Sequence, residues 1–347
     1  MAVKAPIDWH HVPFPWQTDA WRQLNDWLTA GRLPHAIMLS DAADSRSDLF
    51  ATAFAARLLC RQPADNRACG ECPSCRQFSA GAHPDYHAVT ILEDKIGIGV
   101  DQVRALARAL ALTSQYGQGK VALLYPADAM NANAANSLLK TLEEPTPGTW
   151  LILVTAQPAR LPATLRSRCQ RLSLHAHDAA AALAWLNAQE PRSDWPVLLA
   201  IAGGAPLLAL ELSGMPLMQR RLDFFRQLLD LRTRRGDPLK CAGDLGGDSL
   251  GVALRLLQLW VADLVILAST RGSSEAPLAN ADARALLQTG LEGLNLRQLH
   301  AYLDHIGQAV KLESAPVNTQ LMLEQLLIEW ADGLASLAAA PLAALTG

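Results

Sequence analysis

The feature that most restricts what this chain can fold into is the alternation of short apolar runs with helical repeats over its first half. "HAIMLS" (35–40), "DYHAVTIL" (85–92), "KVALLYP" (120–126), "TWLILVTA" (149–156) and "RCQRLSL" (168–174) read as strands. Short, near-continuous apolar runs suit strands that are covered on both faces. Helical patterns lie between them. "DLFATAFAARLLC" (48–60) puts Phe50, Phe54, Ala55 and Leu58 on one face. "VDQVRALARALALTS" (100–114) turns Val103, Leu106 and Leu110 inward behind Asp101 as its N-cap, and "NAANSLLKTLEE" (133–144) is stopped by Pro145. Strands separated by helices need crossover connections, so the sheet must be largely parallel, and such sheets bind ligands beyond the C-terminal ends of their strands.

After about residue 173 every pattern is helical, broken at 202–206, 234–238, 243–249 and 270–277. The expected organisation is an α/β domain over 1–172, a small helical domain over 173–213 and a larger all-α domain over 214–347, with a disordered tail after about 336. A chain of 347 residues is long enough for two or three cores. Its net charge of −3 argues against coating nucleic acid by charge alone. The N-terminus has no uninterrupted apolar core of the kind a signal peptide needs. The most apolar helical stretch, "LRLLQLWVADLVILAST", carries Arg255 and Asp263 and reads as too short to span a bilayer. A cytosolic protein is expected, with no membrane partner.

Cys60, Cys69, Cys72 and Cys75 are spaced C-x8-C-x2-C-x2-C. Short x2 turns deliver neighbouring thiolates to one ion, and four soft donors complete a tetrahedral zinc shell, so the spacing favours a structural zinc module over 60–75. An iron–sulfur cluster, a CxxC redox pair and four unrelated thiols are the alternatives. His83 and His87 lie near but are not needed as ligands. "SQYGQGKVALLY" offers Gly117, Gly119 and Lys120 in the guise of a phosphate loop. Its context is wrong, because a phosphate loop follows a strand and opens a helix, whereas these glycines follow a helix and open a strand. It reads as a connecting loop. Glu143 and Glu144 end a helix with no acid–base partner in view. Trp16, Trp21 and Trp27 read as packing residues, and Leu321, Leu323, Leu326 and Leu327 as an apolar face near the C-terminus.

The ordered series "LPHAIMLS", the cysteine cluster, "HPDY" (83–86), "VDQVRAL" (100–106), "NSLLKTLEEP" (136–145) and "LPATLRSRC" (161–169) resembles the delta-prime family of bacterial DNA polymerase III clamp-loader subunits. That family is a relative of the tau/gamma subunits in the AAA+ class. The resemblance is close over about residues 12–213 and weaker beyond, through "NTQLMLEQLL" (318–327). It implies an AAA+ α/β domain, a helical lid and a helical collar that joins subunits into a ring through faces such as that of Leu321.

The resemblance also implies a nucleotide site that has lost its chemistry. Asp41, Asp44 and Arg46 stand where active relatives carry phosphate-loop glycines. Ser47 replaces the phosphate-binding lysine and Asp48 the magnesium-binding hydroxyl, while Tyr125 and Pro126 occupy the end of the strand that carries the metal-binding acids in active relatives. No ATP should be bound or hydrolysed by this chain. Arg168 matches the arginine that reaches across an interface into a neighbour's ATP site, with Arg166 as an exposed internal control. The implied partners are the tau/gamma and delta subunits, the sliding clamp, and primed DNA through the complex, within a DNA-polymerising (nucleotidyltransferase) holoenzyme. Two other readings stay open: an active AAA+ ATPase with an atypical loop, and a free-standing zinc protein that binds DNA.

Overall fold

A computed structural model describes residues 8–41, 45–93, 95–174, 179–245, 250–312 and 318–335. The contacts divide the chain into two compact units, residues 1–189 with 204–207 and residues 190–203 with 208–347. The expected disordered tail after 336 lies outside the described residues.

The first unit opens with α1 (Thr18–Thr29), β1 (Ala36–Ser40), α2 (Ser47–Leu59), α3 (Pro73–Ser79) and β2 (Tyr86–Val89). It continues through α4 (Val100–Ala111), β3 (Lys120–Leu124), α5 (Ala132–Glu143), β4 (Thr149–Thr155), α6 (Ala163–Arg166), β5 (Gln170–Ser173) and α7 (Ala179–Gln189). All strand pairs are parallel, in the order β2-β3-β4-β1-β5. Period-2 alternation splits β1, β3 and β4 between two cores. Ile37, Leu39, Val121, Leu123, Ile152 and Val154 face α2 and the N-terminal aromatics, whereas Ala36, Met38, Ala122, Leu124, Leu151 and Leu153 face α4 and α5.

Several boundaries differ from the sequence expectation for local reasons. β5 begins at Gln170, so Arg168 and Cys169 sit in the turn after α6 rather than in a strand. β2 ends at Val89, leaving Ile91 and Leu92 at the surface. Asp101 is not the N-cap of α4: Gly99 holds that place, with its N–H donating to Gln102 Oε1 at 3.0 Å. α2 is buried nearly all round, because Val12, Phe14, Trp21 and Phe78 cover the side away from the sheet. The decoy loop is structural. Gly119 has φ +105, and a Cβ there would lie 2.4 Å from the Gly148 carbonyl oxygen. Lys120 is buried, and its ammonium donates to the carbonyls of Leu110 and Leu112 and to Thr146 Oγ1, which satisfies the end of α4.

The second unit shows no strand among its described residues. Its elements include α8 (Trp195–Ile201), which follows α7, and after α9 (Pro206–Ser213) come α10 (Pro216–Gln219), α11 (Arg221–Arg232), α12 (Pro238–Asp244) and α13 (Leu250–Ser269). α14 (Arg284–Leu291), α15 (Leu296–Leu312) and α16 (Thr319–Ala331) complete it. Contrary to expectation, α13 contains a stretch, Gly251–Ser269, long and apolar enough to cross a membrane. Its Leu254, Leu257, Trp260, Val261, Leu264 and Leu267 are buried within its own unit. The Asp263 carboxylate accepts from the backbone N–H groups of Ala279 and Asn280 and from the Asn280 side chain, at 2.8–2.9 Å. Leu323, Leu326 and Leu327 are likewise spent in this core, so of the expected C-terminal apolar face only Leu321, 60% exposed, is at the surface.

Candidate functional site

Parallel strands bring five C-terminal ends to one edge of the sheet, and the segment after β1 lies there. Asp41 N–H donates to the Thr155 carbonyl at the end of β4, at 3.4 Å. Ser47, the first residue of α2, donates from Oγ to Asp41 Oδ2 at 2.7 Å, and Ser45 Oγ lies 2.7 Å from Ser47 Oγ. Both Asp41 and Ser47 are buried. The residue before the helix, Arg46, adopts the left-handed conformation with φ 57, and its Nε lies 3.4 Å from Asp48 Oδ1. Asp44 is outside the described residues. A helix N-terminus that would attract a polyphosphate through its free N–H groups thus has one of the chain's own carboxylates beside it. That carboxylate accepts a hydrogen bond from the Ser47 hydroxyl.

The ends of β3 and β4 complete this edge. β3 runs out into Tyr125 and Pro126, both half-buried, and neither side chain can ligate magnesium. Asp128 is in a single 3-10 turn (Ala127–Ala129), where its Oδ1 accepts from Thr155 Oγ1 at 2.6 Å. Thr155 therefore links Asp128 to Asp41 across β4, a role invisible in sequence because its partners lie 27 residues before it in one case and at the far end of β1 in the other. Two carboxylates meet at this edge. Carboxylates placed there make the local charge unfavourable for a polyphosphate.

Arg168 lies at the opposite edge. β1 and β5 pair with Ile37 opposite Gln170, so extending the register back two residues puts Arg168 near His35, whereas the loop starts at Asp41. Ile37 and Asp41 alone are four residues apart, about 13 Å by strand rise, beyond the reach of one arginine side chain. Arg168 Nη1 donates to the Thr164 carbonyl at 2.8 Å, and Nη2 lies 2.6 Å from Glu143 Oε1. Glu143, read from sequence as having no acid–base partner, is ion-paired with this arginine. The side chains are 37% and 50% exposed, respectively. Neighbouring Cys169 is buried, and burial pushes its thiol up to about 11, so it packs as an apolar residue rather than acting as a nucleophile. Arg166, expected to be exposed, is half-buried, and its Nε has no hydrogen-bond partner.

The four spaced cysteines converge where α2 ends. Cys60 follows α2, Cys72 caps α3 and Cys75 lies within it, while Cys69 arrives from the intervening loop. Their sulfurs all lie within 4.8 Å of one another, with Cys60–Cys69 at 3.6 Å and Cys69–Cys75 at 3.9 Å. A tetrahedral ion with 2.3 Å bonds to sulfur requires edges of about 3.8 Å, so the set fits a metal ion and is too wide for disulfides. Backbone N–H groups of Cys69, Cys72 and Cys75 donate to the sulfurs of Cys60, Cys69 and Cys72 at 3.3–3.4 Å, which stabilises thiolates. Burial raises the Cys60 and Cys75 thiols. For Cys72, the N–H bonds from Cys75 and Arg61 outweigh the upward effect of burial and bring it down to about 6.

His83 is not a ligand. Ser74 Oγ donates to the Leu59 carbonyl at 2.6 Å, so its contact of 2.9 Å with His83 Nε2 makes that nitrogen the donor. Nδ1 then accepts from Asp85 N–H at 3.1 Å. Both ring nitrogens are spent, joining the cysteine module to the start of β2.

The family described as "DNA polymerase III, delta subunit" matches residues 16–178, and "DNA polymerase III, delta subunit, C terminal" matches residues 216–332. The chain is 38% identical over 326 residues to DNA polymerase III subunit delta' of Pseudomonas aeruginosa, covering 92% of this chain and 97% of that one. It is 33% identical to the subunit of the same name from Yersinia pestis, covering 93% and 96%. With the Escherichia coli subunit the identity is 31%, covering 91% and 94%.

Proposed function

The chain belongs to the delta-prime family of DNA polymerase III subunits, and from that premise we propose that it is a non-hydrolysing subunit of the clamp loader that lends Arg168 to a neighbour's ATP site. Its partners are then the tau/gamma and delta subunits, the sliding clamp, and primed DNA reached through the complex, in the bacterial cytoplasm. The helical segment 173–213 is the lid and 214–347 the collar through which subunits join.

The observation that carries this reading is the separation of the two sheet edges. The edge that would hold nucleotide has Asp41 bonded to Ser47 and a second carboxylate, Asp128, joined through Thr155. Phosphoryl transfer runs on metal, a lysine and positioned charge, and among the described residues of that loop a serine, Ser47, stands where the resemblance places the lysine. The exposed cation, Arg168, stands at the other edge, in the turn before the start of β5. A guanidinium so placed cannot act on its own chain's loop but is open to an adjacent molecule. There it would stabilise charge on the transferring phosphoryl group, an effect of roughly 10³–10⁵ in rate where an arginine acts in trans.

The cysteine cluster suits zinc as a structural ion. Four sulfurs fill the tetrahedron and leave no open position for substrate, and the ion would fasten the 60–75 loop to the end of α2.

The test is ATP hydrolysis by the complex reconstituted with tau/gamma and delta subunits, clamp and primed DNA. Arg168→Ala should assemble normally yet reduce turnover at the site it serves by roughly 10³-fold or more. Wild-type hydrolysis by a fully assembled Arg168→Ala complex would refute the reading.

A further inference from the structure

We propose that Glu143 is a positioning residue for Arg168, holding the guanidinium in the orientation that a neighbouring nucleotide site receives; the inference rests on the trans-acting role of Arg168 proposed above. Both partners stand on fixed backbone. Leu142, one residue before Glu143, and Cys169, one residue after Arg168, are buried in the same core cluster, together with Leu165 of α6. The end of α5 is also tied to the start of β1, because His35 Nε2 donates to the Leu142 carbonyl at 2.9 Å. The distance between the two side chains is therefore set by the fold and not by a mobile loop.

The chemistry of the pair points the same way. Glu143 is the last residue of α5, where carbonyl groups make a carboxylate locally unfavourable and a cation favourable. Arg168 supplies that cation. The pair is too exposed to add much to folding, so its consequence lies in where it holds the guanidinium. Glu143 Oε1 engages Nη2 and the Thr164 carbonyl engages Nη1. Two of the five N–H donors of an arginine are thereby fixed and three remain for an incoming phosphoryl oxygen. A long, flexible side chain would otherwise lose its rotamer freedom at the moment of reaction, and orienting it beforehand removes that loss.

The experiment is the same reconstituted ATPase with Glu143→Ala, Glu143→Gln, Glu143→Lys, Arg168→Ala and the double Ala variant, each checked for assembly by gel filtration. Glu143→Ala should lower kcat by roughly two- to tenfold with KM for ATP unchanged, the size of effect expected from orienting one side chain. Glu143→Gln, whose amide oxygen still accepts from Nη2, should retain most of the activity. Glu143→Lys, which repels the guanidinium, should lose at least as much as Glu143→Ala and covers the case in which the alanine variant fails to assemble. In the Arg168→Ala background, loss of Glu143 should add nothing. A rise in kcat on removing Glu143, or an equal further loss in the Arg168→Ala background, would overturn the proposal. So would unchanged hydrolysis in Glu143→Ala beside a large loss in Arg168→Ala, with the trans-acting arginine left standing. Unchanged hydrolysis in Arg168→Ala itself would instead sink the reading on which the proposal rests.

Discussion

The two edges of one parallel sheet carry opposite kinds of polar group. At the C-terminal edge, where folds of this type bind ligands, Asp41 and Asp128 are drawn inward and satisfied by Ser47 and Thr155. At the other edge, Arg168 stays half-exposed with part of its donor set unspent. In the proposed reading, the first edge turns its polar groups on itself and the second offers a charge to another molecule. The same scaffold positions both, so a conserved-looking fold says nothing of where the chemistry sits until each side chain's partners are traced.

Three perturbations separate these regions, in descending order of effect. Arg168→Ala should produce the largest change, in the complex only, as described above. Next comes the cysteine cluster, which is attached to α2 at the end away from the closed loop. Replacing Cys72 by Ala, or stripping the metal with a chelator, should destabilise the first unit by roughly 4 kcal/mol, in the range that marks loss of a structural ion. Thermal unfolding measures it, and elemental analysis should return one zinc per chain. Full stability after chelation, or iron in place of zinc, would contradict the structural-zinc reading. The smallest effect is expected for Asp41→Ala, which leaves the buried Ser47 hydroxyl without its acceptor and should cost about 1–2 kcal/mol. If the proposed reading holds, removing that carboxylate should still confer no affinity for ATP, because Ser47 still stands at the proposed lysine position. Gain of ATP binding by this single change would mean that Asp41 alone closes an otherwise competent site.

What sequence made legible follows from what is local. Strands buried on both faces announce themselves as apolar runs, and the two x2 cysteine steps place ligands within a single turn. The ends of elements were harder, because they depend on caps such as Gly99 and Asn131, whose roles are fixed only when Gln102 and Ala134 come round to meet them. The C-terminal leucines illustrate a different limit. Periodicity says that Leu323, Leu326 and Leu327 share an apolar face but not whether that face meets its own unit or another chain, and here it meets its own. Contacts between distant positions left no signal at all. Glu143 and Arg168 are 25 residues apart, on separate elements, and nothing in "TLEEP" or "SRC" alone joins them. The separation between Arg168 and the closed loop likewise required the register of β1 against β5, which no single segment encodes.

Titration of the isolated chain with magnesium-ATP, followed by calorimetry or equilibrium dialysis, bears most directly on the claim that its own nucleotide edge is shut. No saturable, metal-dependent binding is expected up to millimolar ATP. Stoichiometric, magnesium-dependent binding at micromolar ATP, weakened by substitution at Asp41 or Ser47, would show that the loop opens to accept nucleotide and that this subunit is an ATP-binding protein in its own right.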